Sequence, residues 1–283
     1  MTMQKIAVVT DSSAFLPQEI LEELNISVIP LWLIWDGQNY RDGVDIEPAD
    51  FYQRLKTSKT LPTSSQPSAQ EFGLFFEQVA ANADAIVSVL VSSRISGTIA
   101  SAQAAAAEHL ELDIHIVDTL NCAMGLGYCV LAAARAAAAG KTIDEVVAAA
   151  EQMRDRVYML FVVDTLDYLF KGGRISGGKH LMGNLLSIKP ILHFDEGQIK
   201  PLTQARTKRK ATAQLMDIVE NRLKGKKMIE GAVMDVNAPD EGDALAVMVK
   251  ERFSPSGLLR TTVSSVVGTH TGPGTIGIAY YGE

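Results

Sequence analysis

The sequence predicts an α/β protein in two parts: a parallel-sheet α/β domain over residues 1–156 and an α+β domain over residues 157–283. Three observations carry this. Strand-like runs alternate with helix-like runs up to about residue 156, the pattern of a parallel sheet covered on both faces. Beyond Val157 hairpins mix with helices. At 283 residues the chain is also long for one hydrophobic core.

Taken in order, Ile6 to Thr10 is an apolar strand ending in Thr10-Asp11-Ser12-Ser13, and Pro17 opens a helix through Leu24. Ile26 to Trp35 reads as one extended run, closed by a tight hairpin turn at Asp36-Gly37. A helix over Pro48 to Lys56 precedes the polar loop Pro62 to Ser68. Ser68 and Glu71 then form a capping box for a helix from Ala69 to Asn82. Asp84 to Val91 is a buried strand, and Ile99 to Glu108 is an alanine-rich helix. Between them Ser92-Ser93-Arg94-Ile95-Ser96-Gly97-Thr98 aims hydroxyls at a helix N-terminus, which reads either as an anion-binding corner or as an ordinary N-cap.

Leu112 to Val117 is the next strand, followed by a loop through Gly125-Leu126-Gly127 and an alanine-rich helix stopped by Gly140. Thr142 and Glu145 start a helix to about Arg156. The second part holds a strand at Val157 to Asp164, a short helix at Leu166 to Lys171, and a hairpin turning at Asp195-Glu196-Gly197. Helices over Lys208 to Lys224 and Glu241 to Arg252 alternate with strands over Met228 to Val236 and Leu258 to Val267. Thr269-His270-Thr271-Gly272-Pro273-Gly274 reads as a loop, and a strand to Tyr281 follows. Thr10 to Ser13, Ser92 to Thr98 and Asp118-Thr119 all lie at carboxyl ends of strands, where ligands of parallel sheets sit.

Composition removes several classes. The formal net charge of -7 argues against sequence-independent nucleic-acid binding. Two cysteines, Cys122 and Cys129, fit a reducing compartment and neither a disulfide framework nor a zinc site. No leader-like segment or membrane-length apolar run is present, so a cytoplasmic location is expected. The five histidines lack ligand spacing, so no metal site and no cofactor are expected. Gly173 to Lys179 matches the core of a phosphate-binding loop, but His180 stands where a magnesium-holding hydroxyl is required. Ser96, Asp164 or Asp235, and His270 follow a hydrolase triad order, without the glycine-x-serine-x-glycine elbow.

Together these motifs resemble the DegV family of bacterial fatty-acid-binding proteins. The resemblance runs almost the full length, through Thr10-Asp11-Ser12-Ser13, Ser64-Ser65-Gln66-Pro67-Ser68, Ser92 to Thr98, Met124-Gly125-Leu126-Gly127, Lys171 to Ser176, Ile188-Lys189-Pro190, Ala205-Arg206-Thr207 and Thr269 to Gly274. It implies a long-chain fatty acid, such as palmitate, stearate or oleate, held between the two domains. The carboxylate would be gripped by hydroxyls at Ser64 and Ser96 and by the imidazole of His270. Ser64 stands where the family commonly has threonine, which keeps the hydroxyl and loses a methyl that fixes its rotamer. The resemblance further implies hand-over of the acid to a separate ATP-dependent fatty acid kinase for acyl-phosphate formation, with Arg174 and Arg206 as partner-docking arginines. Transient membrane contact would fit such a carrier, which has no catalysis of its own.

The chemistry agrees with that expectation. A carboxylate leaving water needs donors, which hydroxyls and a helix N-terminus supply. At ~0.8 kcal/mol per methylene, a tail of about fifteen offers on the order of 12 kcal/mol before binding costs. The alternatives are a serine hydrolase of small esters and a regulator that binds a phosphate-bearing ligand.

Overall fold

A computed structural model of the chain describes residues 4–175 and 188–283. Three sheets organise it. The first is parallel throughout, in the order β2 (Ser27–Ile29), β1 (Ile6–Asp11), β6 (Ala85–Leu90), β7 (Ile114–Asp118). Every residue of β6 is buried, as its apolar run, broken only by Ser88, requires when helices cover both faces. Those helices are α1 (Gln18–Glu23), α3 (Ala69–Ala80), α4 (Thr98–Glu108), α5 (Ala123–Ala138) and α6 (Ile143–Arg154). The Ser68–Glu71 and Thr142–Glu145 capping boxes are both formed, each satisfying orphan N–H groups at its helix start.

Three expectations about this half are corrected. The run Ile26 to Trp35 is broken at Pro30, whose missing N–H cannot continue a ladder. Its second piece, β3 (Trp32–Trp35), leaves the parallel sheet and pairs antiparallel with β4 (Gln38–Arg41) across the Asp36-Gly37 turn. The polar stretch after α2 (Pro48–Leu55) is not all loop: β5 (Thr63–Ser65) adds to the other edge of β3 and sets Ser64 opposite Leu33. Gly125 and Gly127 lie inside α5 rather than before it. A Cβ at Gly127 would stand 3.0 Å from Met124 Sδ and 3.2 Å from Leu16, so small residues let this buried helix pack tightly.

The second sheet runs β10 (Gln198–Ala205), β9 (Lys189–Asp195), β8 (Tyr158–Val162), β13 (Thr275–Gly282), β11 (Met228–Val236), β12 (Gly257–Thr262). It is antiparallel except between β11 and β12. Its faces feed different cores by strict alternation. Leu160, Val233, Ile276 and Ile278 pack with residues of α8 (Lys208–Leu223) and α9 (Pro239–Phe253). Phe161, Met234 and Ala279 turn the other way, into a core shared with α5 and the first sheet. The short helix α7 (Asp167–Lys171) follows β8.

The expected strand Leu258 to Val267 stops at Thr262, because Ser264 caps a helix by accepting the N–H of Val267. That helix, α10 (Ser265–Thr271), carries His270, which is therefore on a helix and not in a loop. Lys179 and His180, in the glycine-rich stretch, lie outside the described residues.

Candidate functional site

The loops after β1, β6 and β7 converge on the inner face of the second sheet, and a cavity of about 880 Å³, counted to its open mouth, lies between them. Most of its wall is apolar, including Met159, Phe161, Phe194, Ile199, Met234 and Val266. Ser64, Ser96, Arg174 and His270 also line it. The three expected binding residues therefore share one cavity, although they come from β5, the loop before α4, and α10.

Ser64 Oγ and His270 Nε2 are 2.6 Å apart. Burial, and then the nearby Arg174 charge, push the imidazole down to about 4, so it is neutral at physiological pH. Its Nδ1 is buried without a hydrogen-bond partner, pressed on the backbone at Gly172, where any Cβ would overlap it. The hydroxyls of Ser96 and Thr98 are 2.8 Å apart, and Gly97, not a serine, is the N-cap of α4. Gln66 covers that glycine: a Cβ at Gly97 would stand 2.9 Å from Gln66 Nε2.

Two buried carboxylates brace the site from beneath. Asp11 accepts the N–H of Val91 at 2.8 Å and both the N–H and hydroxyl of Ser13, joining the loops after β1 and β6. Desolvation raises its pKa. Asp42 accepts the Ser12 hydroxyl at 2.8 Å and, weakly at 3.4 Å, the N–H of Val266 in the first turn of α10. Burial pushes it up to about 6. Thr10 to Ser13 drew attention in the sequence, whereas Asp42 carries no local signal. Cys122 also lines the cavity, with its thiol pushed up to about 12 by burial and by Asp11, so it is no nucleophile. The Ser92 hydroxyl donates to Gly197 O at 2.8 Å, tying the β9–β10 turn to the loop after β6.

The two arginines separate. Arg174 donates to Ile95 O and Gly172 O beside the cage, and burial lowers its pKa. Arg206 is exposed. Ile175 bridges to Ile199, and Arg206 lies seven residues farther along β10, roughly 20 Å at the rise of a strand. The basic run after Arg206 is not all solvated either, since Lys208 is half-buried against Asp164, Glu241 and Gly274 O.

No triad assembles. Asp235 is held by Arg260 at 2.7 Å and by the N–H of Ala238, and Asp164 by Lys189 and Lys208. The serine on His270 is Ser64, not Ser96. Among the described residues no group of three or more His, Cys, Asp or Glu is placed to hold a metal ion, and no helix is long and apolar enough to cross a membrane.

The family model described as an uncharacterised protein of the DegV family matches residues 5–283. The chain belongs to the DegV family. A DegV domain-containing protein of Listeria innocua is 36% identical over 279 residues, covering 98% of each chain. A DegV family protein from Thermus thermophilus, solved for its fatty acid binding, superposes with a TM-score of 0.92 at 31% identity, over 99% of this chain and 100% of that one. DegV from Bacillus subtilis, described as a fatty acid binding protein, superposes with a TM-score of 0.90 at 32% identity over the same shares.

Proposed function

We propose that this DegV protein is a carrier that binds one long-chain fatty acid, of the palmitate, stearate or oleate class. The carboxylate sits among Ser64, Ser96 and His270, and the tail fills the cavity. The observation that carries the reading is a mostly apolar cavity with a neutral histidine and two hydroxyls in its wall. The hydroxyls can donate to a carboxylate, with the Arg174 guanidinium beside them in the same wall. The fatty acid binding described for the Thermus and Bacillus relatives supports it.

The carrier acts without catalysis of its own: among the described residues no carboxylate orients His270. It works in the cytoplasm, with transient membrane contact, and presents the acid to a separate ATP-dependent kinase. Arg206 is exposed for docking, and Arg174 stands beside the head group. Mass spectrometry of a denaturing extract of the purified protein tests the reading. Stoichiometric fatty acid is expected; its absence, together with no uptake of added oleate or palmitate, overturns it. A second reading takes 2.6 Å between Ser64 and His270 as a nucleophile–base distance, which requires the proton on Nδ1 so that Nε2 can accept from the serine. Turnover of a short-chain ester, abolished by Ser64→Ala, would establish that hydrolase.

A further inference from the structure

Register shows what the second sheet presents to the cavity. Gly277 of β13 lies between Phe161 of β8 and Met234 of β11, and all three line the cavity. Two residues on, Ala279 lies between Met159 and Ala232. Beyond it Tyr281 meets Tyr128 of α5 edge to face, with ring centres 5.3 Å apart. One face of β13 therefore reads Thr275, Gly277, Ala279, Tyr281: a hydroxyl, two small residues, then a ring. The hydroxyl end is joined to the cage, because Thr275 Oγ1 donates to Thr271 O and Gly272 O at the end of α10.

Gly277 is outside the left-handed backbone region, so the chain's path does not demand glycine there. What its absent side chain allows is a close approach of β8: a Cβ would stand 3.0 Å from Phe161 Cβ, 3.1 Å from Leu160 O and 3.4 Å from the Met159 methyl. The bare backbone at residue 277 thus forms the floor of the cavity wall between Phe161 and Met159 of β8 on one side and Met234 of β11 on the other, and methionines re-pack readily around guests of different shape.

We propose that Gly277 is the specificity-determining position for the tail, the point where the cavity admits a bent acyl chain. This rests on the fatty-acid reading above. An extended saturated chain is straight and of even girth. A cis double bond displaces the chain sideways and needs extra width at one depth. The gap between Phe161 and Met234 supplies that width, and a side chain at residue 277 removes it.

The test compares oleate with stearate, which have equal length and differ by the cis bond. Affinities are measured by displacement of a fluorescent fatty acid from delipidated full-length protein. Gly277→Ala is expected to lower the oleate-to-stearate affinity ratio about tenfold, the effect of overpacking by one methyl. Met234→Phe narrows the same row from the neighbouring strand without disturbing the β8–β13 approach, and it carries the test if Gly277→Ala does not fold. An unchanged ratio in the folded variants, or equal loss of both acids, overturns the assignment. Wild-type protein that binds neither acid overturns the fatty-acid reading instead, so the two failures are distinct.

Discussion

Ser64 and His270, 206 positions apart, are joined by a contact of 2.6 Å between Oγ and Nε2. Its consequence depends on the proton. On Nδ1 the proton would be a buried N–H with no acceptor; on Nε2 it is donated to Ser64, and Nδ1 keeps only a bare lone pair. The Nε2–H arrangement is therefore favoured, and it frees the Ser64 hydroxyl to donate to a guest. In this arrangement the histidine spends its single N–H on the serine and acts by orienting that hydroxyl.

Removing the donors should weaken the proposed binding. Ser96→Ala and His270→Ala are each expected to cost ~1–3 kcal/mol of oleate affinity, the penalty of an under-satisfied charged acceptor. A fatty alcohol of the same length should be less sensitive. Calorimetric titration checks this, and unchanged oleate affinity in both variants would place the head group elsewhere.

The pH dependence of stability has two opposed parts. His270, pushed down to about 4 from an ordinary 6.5, leaves the unfolded state with more bound protons between those values. Its stabilising contribution is present above pH 6.5 and lost as pH falls toward 4. Asp42, pushed up to about 6 from 3.8, does the reverse: its contribution is present below 3.8 and lost as pH rises through 6. Each amounts to on the order of 3 kcal/mol, so they largely mask one another. Asp42→Asn should give a protein whose stability rises more steeply from pH 4 to 6.5 than the wild type's. His270→Gln should shift the slope the opposite way. Urea denaturation at half-unit pH steps reads both, and parallel curves for all three proteins would refute the assignment.

Arg174 and Arg206 should behave differently. Removing the guanidinium beside the imidazole relieves its repulsion of an added proton, so Arg174→Ala should raise the His270 pKa as followed by NMR titration. It should also reduce fatty-acid uptake. Arg206→Ala should change neither and should slow only acyl-phosphate formation with the kinase of the same organism. Loss of uptake in the Arg206 variant would contradict the geometry.

Gly197→Ala should destabilise by ~1–3 kcal/mol. The residue has φ +79°, and a Cβ there would stand 2.6 Å from Ser92 Oγ, so backbone strain and the lost Ser92–Gly197 bond act together. The midpoint of chemical unfolding measures it. A variant as stable as the wild type would mean that the turn relaxes freely.

Local chemistry made much of this legible in the sequence. The β6 run, the two capping boxes and the Asp36-Gly37 and Asp195-Glu196-Gly197 turns are each written within a few residues. So is the convergence of serine-bearing loops at strand ends. What was illegible depends on distant partners. Thr63 to Ser65 looks like loop until β3 offers an edge, and Thr269 to Thr271 looks like loop until Ser264 is seen to cap α10. Arg174 gave no sign of facing the cavity, because its partners Ile95 and Gly172 become neighbours only when the sheets pack. This part of the cavity wall was equally hidden: Gly277 between Phe161 and Met234 is a fact of register, not of spacing.

The alternation of β13 between two cores ties folding fidelity to capacity for a guest. A slip of one residue against β8 and β11 would turn Gly277 toward the helices α8 and α9 and bring Ile276 and Ile278 around into the cavity. The misaligned protein would keep its strands, its helices and much of its hydrogen bonding, yet its hollow would be filled by its own isoleucines. Emptiness at that place is thus an inherited property of one alignment among several, and uptake of the proposed lipid would report that the alignment was found.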